Sequence, residues 1–144
     1  MDNLSQLKTI TQNLGYEVKE YSVEKGSELN ALQISIDEYD ETIILSVYPD
    51  DELDGSYFFQ FYSEYTFNTY EYDKLQLLMK INETNQKLPL GNFNLITETG
   101  VILFKYIWAV DKKTPYREEH FVDVLDMVEY AITEFKQALF DVRN

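Results

Sequence analysis

The stretch INETNQKLPLGNFNLITETGVILFKY, residues 81–106, joins the end of a predicted helix to a dense apolar strand. Asn82 and Asn85 are expected to satisfy backbone groups where the helix ends, because asparagine side chains bond readily to nearby main chain. Gly91 and Gly100 are expected to permit the two turns that follow, since glycine adopts positive φ without a steric penalty. An amide has no pKa useful for acid–base chemistry. The stretch therefore predicts a structural elbow and not an active site.

Alternating apolar and polar residues predict strands on both sides of this elbow. Before it, the pattern favours strands over 31–36, 42–48 and 57–70, with a short edge strand at 18–23. After it, NFNLI and VILFKYIWAV are separated by TETG, which predicts a tight hairpin with positive φ at Gly100. Short turns between alternating strands indicate an antiparallel sheet.

Helical spacing of apolar residues predicts three amphipathic helices. The first contains Leu4, Leu7, Ile10 and Leu14 and is expected to end at Gly15. The second has Asp73 as its cap and a predicted apolar face of Leu75, Leu78, Ile81 and Leu88. The last is expected to begin with Thr114 as cap and Pro115 in its first turn. Its apolar stripe is Phe121, Val124, Leu125, Val128, Ile132, Phe135 and Leu139.

These elements predict one α+β domain over residues 1–144, an antiparallel sheet with amphipathic helices in the order α-β-β-β(β)-α-β-β-α. The length of 144 residues suits a single hydrophobic core. No apolar stretch approaches the roughly 20 residues that span a bilayer. Asp2 stands where a secretory signal would carry Lys or Arg. We therefore expect a cytoplasmic protein without membrane contact.

The residue inventory weighs against an enzyme. The chain has no cysteine and a single histidine, His120, which removes disulfides, thiolate nucleophiles and multi-histidine metal sites. The acidic loop DDELDG resembles the start of a calcium loop, with Asp50, Glu52 and Asp54 at alternate positions. The position that must supply a bidentate glutamate is Phe61, so no metal is expected. We predict no catalytic residue and no cofactor.

The net charge of −14 is concentrated in the first half of the chain. Residues 1–72 contain 15 acidic and 3 basic residues, a net −12, whereas residues 73–144 contain 11 acidic and 9 basic residues, a net −2. Such a charge repels nucleic acid and anionic membranes and attracts basic partners. It also serves solubility alone, and the sequence leaves these alternatives open.

Phe58 and Tyr62 are the residues most indicative of partner binding. They alternate with Tyr57, Phe59 and Phe61 and so must point away from the core face of their strand. Aromatic side chains on such a second face need a cover, which a terminal helix, a second subunit or a client peptide would provide. Interfaces are enriched in aromatic residues. We therefore predict partner contacts at Phe58 and Tyr62, and at the acidic Asp50, Asp51, Glu52 and Asp54.

The order of elements and the sequence KINETNQKLPLGNFNLITETGVILFKY resemble the YbjN family, whose fold is similar to that of type III secretion chaperones. The resemblance is carried by Asn82, Asn85, Gly91, Phe93 and Gly100. It implies a small acidic homodimer that holds extended segments of other proteins, and some members of the family are described as regulators.

Three functions follow from these observations. The first is a non-enzymatic protein-binding module, chaperone-like or adaptor-like, that forms a homodimer. The second is an inhibitor or immunity-type protein that uses the acidic residues 37–54, including Glu41, to block a basic or nucleic-acid-binding site. The third is a carboxylate-dependent metal enzyme, which would respond to divalent cations.

Overall fold

The computed structural model describes residues 3–21, 31–36, 41–47, 54–66, 73–114 and 116–142. Within these ranges the chain forms an α+β fold in the order α-β-β-β-β-α-β-β-α, which confirms the predicted order. The helices are α1 (Asn3–Asn13), α2 (Lys74–Lys87) and α3 (Glu118–Val142). The strands are β1 (Glu17–Tyr21), β2 (Ala31–Ile36), β3 (Glu41–Val47), β4 (Ser56–Thr66), β5 (Asn92–Ile96) and β6 (Val101–Asp111).

The six strands form one antiparallel sheet in the order β1-β2-β3-β4-β6-β5. Strands β4 and β6, 11 residues each, pair along their whole length at its centre. The β5–β6 hairpin closes at Gly100, whose φ is +74° and whose N–H donates to the Ile96 carbonyl at 2.8 Å. Strands β1 and β5 form the two edges of this sheet.

One face of the sheet, here called the inner face, is buried against the helices. Its apolar residues alternate along each strand and join one hydrophobic cluster with α1, α2 and α3. The strand contributions with the lowest exposure are Leu32, Ile34, Ile43, Leu45, Phe59, Phe61, Phe93, Ile102 and Phe104. The helix contributions include Leu4, Leu7, Leu77, Phe121, Val128, Ile132 and Phe135.

Aromatic rings fill the inner face at two places. Around Phe93, the ring of Phe135 stacks with a centroid distance of 3.7 Å, and the ring of Phe104 lies 5.0 Å away. Around Trp108, the ring of Phe59 lies 5.4 Å away and that of Phe121 6.0 Å away. Large tilted and stacked rings bury much apolar area, so they secure α3 to the sheet.

Helix α1 ends as predicted at Gly15, whose φ is +98° and whose N–H donates to the Gln12 carbonyl at 3.0 Å. Leu14 is not part of the buried stripe, because it follows the last regular turn of the helix. Its side chain is 45% exposed. The predicted apolar face of α1 is therefore correct at Leu4, Leu7 and Ile10 and wrong at Leu14.

The predicted apolar face of α2 is wrong in its first half. The buried residues are Leu77, Ile81 and Thr84, whereas Leu75 is 65% exposed and Leu78 is 39% exposed. A helix with leucine at positions 75, 77, 78 and 88 has two apolar stripes, and packing against α3 and β5 selects the second. Asp73 caps the helix as predicted and accepts from the Leu75 N–H at 2.9 Å.

Helix α3 begins later than predicted, at Glu118, so Thr114 is not its cap. The Arg117 carbonyl instead accepts from the N–H groups of His120 and Phe121 at 3.0 and 3.2 Å. Tyr116 lies outside the helix, and its ring packs 5.3 Å from that of Trp108.

Candidate functional site

The opposite side of the sheet, here called the outer face, carries the residues that alternate with the inner set. The strand pairing aligns one residue from each of the six strands in a continuous row on this face. The row is formed by Lys19, Gln33, Ile44, Tyr62, Lys105 and Asn92. The helix contacts described above are made with inner-face residues or with the β5 edge. Among the described residues, the outer face is consequently left without a helix.

The outer face contains both predicted aromatic residues. Phe58 and Tyr62 are half-buried there, opposite Ala109 and Lys105 of β6. Ile44 and Leu103 are also half-buried, and Ile107 is 43% exposed. Side chains of this kind on a sheet surface retain apolar area that a partner can cover.

Two shallow depressions shape this surface. The larger, of about 590 Å³, is lined by Gln33, Thr42, Ile44, Tyr62, Glu64 and Leu103. The second, of about 540 Å³, is lined by Gly91, Asn92, Asn94, Lys105, Tyr106 and Ile107. Their linings meet at the Tyr62–Lys105 pair, where the Lys105 Nζ lies 5.8 Å from the centre of the Tyr62 ring. The two depressions therefore lie side by side on the outer face, between β2 and β5.

The described outer face is much less acidic than the chain as a whole. Its charged side chains on β1, β4 and β6 are three acidic and two basic residues, Glu17, Lys19, Glu64, Lys105 and Asp111. The described strands of this face therefore offer a basic partner little net charge.

The predicted acidic contact residues are only partly described. Asp50, Asp51 and Glu52 lie outside the described residues, and Asp54 is exposed just before β4. Glu41, which the inhibitor hypothesis places among the surface acids, is only 8% exposed. It lies on the inner face, where its Oε2 accepts from the Tyr65 hydroxyl at 3.0 Å. The structure therefore removes Glu41 from any acidic surface.

The elbow residues take separate roles. Asn85 makes two hydrogen bonds to the backbone of Phe93 in β5, and not to the end of its own helix. Asn82 is exposed on α2 and is not part of this contact between Asn85 and Phe93. Gly91 has φ +71°, and a Cβ there would come within 2.5 Å of the Phe104 ring. Gly91 thus provides both the turn and the space that bring β5 against β6.

Sequence reasoning missed an exposed apolar patch on α2, formed by Leu75, Leu78 and Met79. Met79 is 56% exposed, comparable to its leucine neighbours. The signal was present in the sequence, because the spacing of Leu77, Ile81, Thr84 and Leu88 forms a competing helical stripe. Taking that stripe as the buried one would have placed Leu75, Leu78 and Met79 outside.

Three tyrosines in the described part of the chain have raised pKa values. Burial raises the pKa of Tyr65, and the neighbouring Glu41 raises it further. Burial, followed by the hydrogen bond to Glu129, raises the pKa of Tyr16. Burial also raises the pKa of Tyr116. Phenols with raised pKa values are poorer acids near neutral pH. In the described ranges, no three acidic or histidine side chains group as metal ligands, and no helix has the length and apolar character to cross a membrane.

These features define an α+β fold in which helices bury one face of the sheet and no described helix covers the other. No family model matches the chain, and no curated protein matches it in sequence.

Among solved structures, the chain is similar to YbjN from E. coli, a protein to which a role as a transcription regulator has been ascribed. The TM-score is 0.55 with 15% identity, over 93% of this chain and 88% of that chain. The molecule has a YbjN-like fold. The sequence resemblance to the YbjN family is thereby supported in fold, while membership of the family stays a prediction.

Proposed function

We propose that this protein is a non-enzymatic protein-binding module, chaperone-like or adaptor-like, whose partner lies on the outer face of the sheet. The observation that carries the proposal is the continuous surface of Ile44, Phe58, Tyr62, Leu103 and Ile107. The low net charge of the described outer face favours a partner held by apolar contacts with polar groups at the rim. A regulator role ascribed to a protein of the same fold is compatible with action through protein contacts.

The proposal predicts that one outer-face charge abolishes partner capture without unfolding the protein. Ile107→Lys introduces that charge on the outer face of β6, opposite Gln60 of β4, and Leu14→Lys is its matched control. The two parent side chains are 43% and 45% exposed, but Leu14 lies at the end of α1. Co-purification from the native host, followed by mass spectrometry, should recover the same partners with the parent chain and Leu14→Lys. Equal recovery with Ile107→Lys would contradict the proposal.

A homodimer is the second component of the proposal. The patch of Leu75, Leu78 and Met79 supports it, because three exposed apolar side chains in one part of a helix suit a self-complementary contact. Light scattering should give twice the mass of the chain for the parent and the mass of one chain for Leu75→Lys combined with Met79→Lys. A parent that stays monomeric at high concentration would refute this component while leaving the outer-face proposal intact.

The acidic inhibitor is the alternative function, and it is favoured by the net −12 carried by residues 1–72. Salt separates the two functions, because attraction between exposed charges is screened whereas apolar contact is not. An inhibitor should lose its partner as ionic strength rises, and should lose it when Asp50, Asp51, Glu52 and Asp54 are all neutralised. Partner retention in high salt favours the outer face.

A further inference from the structure

The two edges of the sheet are protected from further strand pairing in different ways. Edge strand β1 has the sequence EVKEY, in which Glu17, Lys19 and Glu20 are charged. Charged residues and proline are the usual protection of an exposed edge, because they oppose pairing with another chain. Strand β5 has the sequence NFNLI, with neither charge nor proline. Its protection comes from α2, which packs against this edge and offers it one hydrogen-bonding group.

Asn85 supplies that group from the last turn of α2. Its Nδ2 donates to the Phe93 carbonyl at 3.0 Å, and its Oδ1 accepts from the Phe93 N–H at 2.8 Å. A carboxamide has the same donor and acceptor as a peptide group. The side chain therefore makes the paired bonds that a residue of an adjacent strand would make in an antiparallel ladder.

The position of these bonds identifies the outward side of β5. Phe93 is aligned with Phe104 of β6, and its backbone groups point to Asn85. In an antiparallel pair, successive residues alternate between facing the partner and facing away. Phe93 and Leu95 are accordingly the outward-facing residues of β5, and Asn85 occupies the first of them. A second strand cannot pair across this edge while the Asn85 amide is in place.

We propose that Asn85 closes the β5 edge to strand addition by a second copy of this chain. The occupant is a second β5, because two copies of an uncharged NFNLI edge offer each other the same unpaired groups. Gly91 contributes to this arrangement, because its positive φ turns the chain so that β5 passes beside the end of α2. This inference is independent of the partner on the outer face.

The test compares the parent chain with Asn85→Ala, which removes both bonds. Asn82→Ala is the matched control, the same change at an exposed position of the same helix. Asn85→Asp is studied in parallel, so that a folding failure of the alanine variant leaves the test intact. The aspartate keeps an acceptor for the Phe93 N–H but faces the Phe93 carbonyl with oxygen. A double variant, Asn85→Ala with Asn94→Lys, adds a charge to the β5 edge.

Two measurements give the outcome. Hydrogen exchange of the Phe93 amide, measured in dilute solution, should become at least about tenfold faster in the Asn85 variants than in the parent and Asn82→Ala. Sedimentation velocity should show the Asn85 variants associating beyond the parent state as concentration rises, and Asn94→Lys should reverse this. Asn85 variants that exchange faster without any gain in association, or that exchange like the parent, would overturn the proposal.

Discussion

The inner and outer faces of the sheet are formed by the same strands, yet they differ in every physical property that bears on function. On β4, Phe59 is completely buried while its neighbour Phe58 is half-buried. The inner face is closed by stacked rings and three helices, so its side chains serve stability. The outer face mixes apolar side chains with amides, hydroxyls and charges of both signs, and no described helix covers it. The difference indicates that the inner face supports folding, and our proposal places the partner on the outer face.

The largest expected effect separates Phe59 from Phe58. Phe59→Ala should lower the free energy of unfolding by about 3–5 kcal/mol, because it leaves a cavity among Trp108 and Tyr116. Phe58→Ala should lower it by only about 1 kcal/mol, since a half-buried ring loses less burial. Urea denaturation of both variants measures the difference. Equal losses would mean that the two faces contribute equally to the core.

The next largest effect is expected at Gly91, where the backbone that leads into β5 passes close to the Phe104 ring of β6. Gly91→Ala should cost about 2–4 kcal/mol, because the new methyl meets the Phe104 ring at 2.5 Å and the residue has φ +71°. Gly55→Ala is the control, since a Cβ at Gly55 meets nothing within 4 Å. If Gly91→Ala unfolds at the same urea concentration as the parent, the close approach is not essential.

A pH-dependent effect is expected from Tyr65 on the inner face. At neutral pH, Tyr65→Phe should cost about 1–3 kcal/mol, because the buried Glu41 carboxylate loses a hydroxyl donor. Folding raises the pKa of Tyr65 above its unfolded value of about 10, so the contribution of the neutral hydroxyl is complete below pH 10. Above pH 10 the stabilisation by this hydroxyl decreases by about 1.4 kcal/mol per pH unit, because the unfolded state releases the proton first.

Chemical denaturation at several alkaline pH values checks this expectation. The stabilities of the parent and of Tyr65→Phe should converge as the pH rises above 10. Curves that stay parallel would show that Tyr65 does not remain protonated in the folded protein.

How much of this organisation was predictable depends on the local pattern. Period-two alternation predicted which residues of β2, β3 and β4 face the helices, because one register slip would exchange the two faces. The same alternation places Glu41 beside Ile43 and Leu45 on the inner face. The inhibitor hypothesis counted Glu41 as a surface acid from its charge alone, without considering which face of the strand it lies on. It was therefore wrong about Glu41.

Other features depended on tertiary contacts that the sequence does not display. The sequence contains both apolar stripes of α2, and packing against α3 and β5 accompanies burial of the one with Leu77 and Ile81. Helix α3 begins only at Glu118, and the contact between Tyr116 and Trp108 before it is not marked by any regular spacing. The role of Asn85 also required the structure, because its partner Phe93 lies eight residues away in the next element. The outer-face positions of Phe58 and Tyr62 required only alternation.

The smallest expected effect on stability belongs to the outer face. Ile107→Ser should change the free energy of unfolding by about 0.5 kcal/mol or less, since surface substitutions away from packed features are nearly neutral. Thermal denaturation of this variant beside the parent provides the measurement. A loss comparable to that of Phe59→Ala would show that Ile107 belongs to the core and is not available for a partner.

Site-specific photo-crosslinking in the native host tests the binding role of the outer face most directly. A photoreactive amino acid is placed at Ile107 on the outer face and, in a second variant, at Leu14, which has nearly the same exposure. The account predicts a discrete crosslinked protein from position 107 and none from position 14. Crosslinks of equal yield from both positions, or from position 14 alone, would contradict the claim that the outer face binds the partner.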